Sequence, residues 1–159
     1  MYTSGATSGI LVADGNGNGT NNAQLNLPVG IHFDSPSNSL FVANYASNNV
    51  VQWVLGANSW MLVAGSINGS TGSSPSLLNR PTGVTTDPMG NIYVVDKTNQ
   101  RIQFCYAGQS NGTTIAGGAG FGSVNNTFLY SPSQVKLDNQ LNLYVTDQLN
   151  HRAQKFLRY

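Results

Sequence analysis

Two histidines, one cysteine and a recurring Asp–Arg pair are the side chains best suited to chemistry in this sequence. His32 lies in "GIHFD" and His151 in "QLNHR". A zinc site needs three or four ligands within reach, usually with His or Cys among them. Two separated histidines and Cys105 do not supply that set, so both histidines read as ordinary strand and turn positions. A single cysteine excludes an internal disulfide, a four-cysteine zinc site and a RING-type zinc module within the chain. Cys105 falls where Trp53 and Phe156 fall in a repeated unit, so it reads as a buried, inert packing thiol. No Gly-x-Ser-x-Gly elbow, P-loop or clustered carboxylate pair is present. "GNGNG" (15–19) and "GGAGFG" (117–122) are glycine-rich, but no helical pattern follows to present an N-terminus to phosphate. No catalytic residue, metal site or cofactor is expected.

The Asp–Arg pair occurs twice, as Asp96 with Arg101 and as Asp147 with Arg152. At the corresponding place in an earlier copy stand Asn44 and Asn49. Losing both charges together is what a paired site requires, because either charge alone would be left without its partner. These residues therefore read as structural pairs rather than catalytic acids.

The elements that position them repeat. "LPVGIHFDSPSNSLFVANYASNNVVQW" (27–53) aligns with "RPTGVTTDPMGNIYVVDKTNQRIQFC" (80–105) and "SPSQVKLDNQLNLYVTDQLNHRAQKF" (131–156). Pro28, Pro81 and Pro132 lie 53 and 51 residues apart, as do Asp34, Asp87 and Asp138. "ILVADG" (10–15), "MLVAGS" (61–66) and "TTIAGG" (113–118) keep nearly the same period. In the middle copy four short strands are expected, at about 82–87, 91–96, 101–106 and 113–117. "SLFVA", "NIYVV" and "NLYVT" are nearly continuous apolar runs, the pattern of strands covered on both faces. Repetition with four strands per period selects a β-propeller, whose neighbouring blades supply that cover.

Composition agrees with an all-β chain. Of the 159 residues 8% are charged, against roughly 25% in ordinary soluble domains. The net charge of +1 provides no basic field for nucleic acid. The longest apolar runs are far below the roughly 20 residues of a spanning helix, so no membrane insertion is expected. The start, "MYTSGATSGILVADG", does not read as a signal peptide. Asn18, Asn68, Asn111 and Asn125 open Asn-x-Ser/Thr sequons, acceptors for N-glycans in a secreted chain. With so few charges they lean towards an extracellular setting, although the same residue types also serve turns.

"PTGVTTDPMGNIYVVDKTNQRIQ" and "LNLYVTDQLNHRAQKF" resemble NHL repeats, and the first copy resembles them less closely because of Asn44 and Asn49. The resemblance implies a propeller, most often six-bladed, used for molecular recognition. Some NHL propellers are amidating lyases with a His-rich metal site, and this sequence has no such set. Others bind RNA or form the substrate-recognition part of ubiquitin ligases. RNA binding would call for a clustered basic face with stacking aromatics; only seven Lys and Arg are present, spread along the chain.

One unit, 1–159, is expected, with blades at about 27–66, 80–118, and 131–159 plus 8–15. The last blade would take its fourth strand from the N-terminus, within one chain or between two chains closing a six-bladed ring. A segment of a longer NHL array is the alternative. The expected function is a non-enzymatic scaffold binding a protein, peptide or glycan through loops on one face. By resemblance that face joins the second-to-third and fourth-to-first connections. It would present Tyr45, Lys97, Gln148 and Leu149, with Phe121 and Tyr130 adding aromatic contacts.

Overall fold

The computed structural model describes residues 8–118 and 126–158. The first sheet is β1 (Pro28–Asp34), β2 (Ser39–Asn44), β3 (Asn49–Val54) and β4 (Met61–Gly65). The second is β5 (Pro81–Thr86), β6 (Ile92–Asp96), β7 (Arg101–Cys105) and β8 (Gly112–Gly117). The third is β9 (Pro132–Leu137), β10 (Leu143–Asp147) and β11 (Arg152–Phe156), with a 3-10 turn at Gln148–Asn150. Each sheet is an antiparallel meander in chain order. The architecture is all-β, and its three sheets are partial propeller blades. No helix among the described residues is long and apolar enough to cross a membrane.

The backbone repeats with the sequence. Leu27, Arg80 and Ser131, each preceding a blade's first proline, take left-handed φ values of 51°, 54° and 52°. Asn48, Gln100 and His151, which close the turns before the third strands, take 52°, 56° and 53°. Side chains rarely occupy this region, so the same bend at the same place three times marks one unit built three times.

The core lies between sheets. Phe41, Ala43 and Val50 of the first blade pack against Val84, Ile92, Val94 and Cys105 of the second. The other side of the second blade, with Val95, Ile102 and Ala116, packs against Val135, Leu143 and Val145 of the third. Both faces of β6 are thereby covered, which accounts for its unbroken apolar run. The innermost strands approach closely, β1 against β5 and β5 against β9. Gly30 permits the first approach, because a Cβ there would enter the van der Waals radius of the Thr82 carbonyl oxygen.

The ends of the arc differ from the expected arrangement. The third sheet has three strands in this chain. Residues 10–15, read from the sequence as a fourth-type strand, form no strand here. They lie along the outer side of the first blade, near Trp53, Leu55, Pro28 and Ile31. The third blade is two blades away, so a single chain does not bring this segment to β11.

Candidate functional site

The second-to-third turns, 45–48, 97–100 and 148–151, meet the fourth-to-first connections on one face. The same bonds form each time. The Ala46 N–H donates to the Asn26 carbonyl, the Thr98 N–H to Asn79, and the Leu149 N–H to Tyr130. The carboxylates fasten the connections further: Asp96 Oδ1 accepts from the Asn79 N–H at 2.7 Å, and Asp147 Oδ1 from the Tyr130 N–H at 2.6 Å.

The paired arginines extend that fastening. Arg101 Nε donates to Asp96 Oδ2 at 2.7 Å, and its remaining nitrogens reach the carbonyls of Ser73, Ser74 and Leu77. Arg152 Nε donates to Asp147 Oδ2 at 2.8 Å and its Nη2 to the Phe128 carbonyl. In the first blade Asn44 Nδ2 donates to Asn49 Oδ1 at 3.2 Å, and Asn49 Nδ2 to the Ser66 carbonyl. The pairs thus hold the loops of this face in place and expose no reactive carboxylate. Both aspartates are fully buried. Burial raises the Asp96 pKa against the pull of Asn99, Asn79 and Arg101. Burial opposes ionisation of Asp147 too, but bonds from Tyr130, Asn150, Arg152 and Gln154 outweigh it and the pKa falls.

Between the first and second blades the face holds a hollow of about 550 Å³, lined by Leu27, Tyr45, Asn48, Asn79, Arg80 and Thr98. The exposed Arg80 guanidinium lies over the Tyr45 ring, 5.7 Å from its centroid. Lys97 Nζ donates to Gln148 Oε1 at 3.5 Å, linking the second and third blades. Leu149 is exposed and Tyr130 half-buried on the same side. Phe121 lies outside the described residues, as does Asn125. Asn18, Asn68 and Asn111 are exposed. Arg80 was not singled out from sequence, because a residue before proline carries no signal of the left-handed bend that aims it here.

On the opposite side His32 Nε2 lies 3.0 Å from Thr86 Oγ1, whose hydroxyl donates to Asp34 Oδ1 at 3.3 Å. Thr86 therefore accepts from an Nε2–H. Its proton points to the carboxylate and not to the imidazole, so the histidine is not placed as a base for this hydroxyl. Burial, with Lys136, lowers the His32 pKa. Burial pushes the Cys105 thiol up to about 11. His151 is an exposed turn residue. Among the described residues no three His, Cys, Asp or Glu side chains gather as a metal set.

The sequence around Asp96 and Arg101 has a match among protein families. Residues 78–103 match the NHL repeat. That NHL unit spans β5, β6 and most of β7. No curated protein matches the chain. Solved structures share the fold at low identity. One is an auxiliary nutrient binding protein from Bacteroides thetaiotaomicron, with TM-score 0.62, 17% identity, and coverage of 79% of this chain and 36% of that one. Another, of unknown function and from the same organism, has TM-score 0.67, 16% identity, and coverage of 80% and 34%. A virginiamycin B lyase from Staphylococcus aureus has TM-score 0.53, 15% identity, and coverage of 82% and 41%. The chain spans between about a third and two fifths of the length of these structures.

Proposed function

We propose that the chain is a non-enzymatic recognition scaffold that binds a protein, peptide or glycan through the face formed by its second-to-third turns and fourth-to-first loops. The hollow between the first two blades carries this reading. Tyr45 offers an aromatic surface and Arg80 an exposed cation, while Asn48, Asn79 and Thr98 offer hydrogen bonds. Its volume lies in the range of small-molecule and side-chain pockets. The buried Asn44–Asn49 and Asp96–Arg101 pairs hold the loops beneath it, so little ordering cost falls on binding. The nutrient binding protein lends support by fold analogy alone.

The test is a glycan and peptide array probed with the wild type, then with Tyr45→Ala and Arg80→Ala. A ligand whose binding falls at least tenfold in both variants, at unchanged melting temperature, supports the proposal. Ligands indifferent to both variants would move the site elsewhere. Retention of RNA that weakens steeply with salt would favour the nucleic-acid reading instead.

A further inference from the structure

We propose that the hollow between the first and second blades takes an acidic glycan, with the carboxylate of a hexuronate residue seated on the Arg80 guanidinium; this rests on the recognition face proposed above and names what that face selects. The two blade junctions share a backbone and differ in side chains. The Arg80 N–H donates to Asn48 Oδ1 at 2.9 Å, as the Ser131 N–H donates to Gln100 Oε1 at the second junction. There Lys97 Nζ also reaches across the gap to Gln148 Oε1. At the first junction Tyr45 stands in place of Lys97, and Arg80 in place of Ser131. No side chain bridges the gap in the same way; instead the Tyr45 ring carries the guanidinium.

Arg80 is a cation without a counter-charge. The chain has six carboxylates, all aspartates. Asp34, Asp87 and Asp138 stand at the ends of the first strands, on the opposite side of the blades. Asp96 and Asp147 are buried beneath the loops. Asp14 accepts from the Asn16 and Leu25 N–H groups. Among the described residues the ion pairs belong to Arg101, Arg152 and Lys155. A hollow carrying one sign of charge concentrates ligands of the other. A planar guanidinium takes a carboxylate through two parallel N–H···O bonds, and a ring beneath it fixes its plane beforehand.

The remaining polar groups favour a sugar over a peptide. Peptides are commonly held by main-chain bonds. Here the main-chain donors are already used: the Ala46 N–H on Asn26, the Thr98 N–H on Asn79, the Asn79 N–H on Asp96 and the Arg80 N–H on Asn48. What remains in the lining is the Asn79 side-chain amide and the hydroxyls of Thr71 and Thr98. Among the described residues none of the three bonds to another side chain. Amides and hydroxyls both donate and accept, as the hydroxyls of a pyranose ring require.

Calorimetric titration tests this with galacturonate and glucuronate oligomers, the same oligomers methyl-esterified, and an Asp-rich peptide of equal charge. One acid oligomer should bind. Esterification should weaken it by about tenfold or more, and so should Arg80→Gln. Arg80→Lys, which keeps the charge and loses the fork, should fall between wild type and Arg80→Gln. Arg80 is exposed, so these variants should fold, and unchanged melting temperatures check that. Esterified oligomers that bind as well as the acids overturn the acid assignment and leave the recognition face standing. So does an acid-oligomer affinity that Arg80→Gln leaves intact. Tighter binding of the peptide overturns the glycan assignment. Binding of no oligomer overturns the inference as a whole, and the array with Tyr45→Ala and Arg80→Ala then decides separately whether the face recognises anything else.

Discussion

The Asn44–Asn49 pair does with neutral amides what Asp96 with Arg101 and Asp147 with Arg152 do with charge. Each fastens the turn of its blade to an incoming loop, and all but the half-buried Arg152 are buried. Charge raises the stakes of losing one member. Asp96→Asn strands a buried guanidinium, which costs about 3–5 kcal/mol. Converting both residues, Asp96→Asn with Arg101→Asn, rebuilds the first blade's pair and should cost less than the two single changes summed. Urea unfolding of the four proteins measures that coupling. Additive costs would mean that Asp96 and Arg101 act separately. The pairing was legible in the sequence because both charges disappear together in one copy. The arginine's bonds to Ser73, Ser74 and Leu77 were not, since main-chain acceptors leave no mark on side-chain identity.

At the scale of the strands, the Pro-x-Gly opening of the first two blades reads in sequence as a strand start. In the folded chain its glycine is an inter-blade contact. At Gly30 a Cβ would strike the Thr82 carbonyl; at Gly83 it would sit 3.1 Å from the Ser133 oxygen. Backbone cannot give way as a flexible side chain does. Gly30→Ala should therefore cost about 2–3 kcal/mol, near the upper end for overpacking, and Gly83→Ala under about 1 kcal/mol. Thermal unfolding of the two variants compares them, and equal costs would contradict the unequal spacing. The strands of the middle blade were readable to within a residue, because turn residues and doubly covered apolar runs are local signals. The resting place of residues 10–13 was not. A fourth-type strand is recognisable by its period, but which edge it meets depends on how far the arc of blades has turned.

The whole molecule is an arc with unlike ends. Val29, Ile31 and Phe33 face outward from the first blade and are exposed, whereas the third blade ends in the more polar set around Gln134 and the two lysines. Gln134 stands where Gly30 and Gly83 allow close approach at the inner rim. The exposed apolar side of the first blade is in keeping with the general rule that a repeat cannot bury its core face alone.

One further consequence concerns the lone thiol. Cys105 sits in the layer between the first and second blades, almost wholly shielded, and its thiolate is disfavoured. The layer between the second and third blades has no sulfur nucleophile, since this is the chain's one cysteine. Alkylating reagents therefore register the parting of one layer and are blind to the other. The protein carries its own gauge of which half of the arc loosens first.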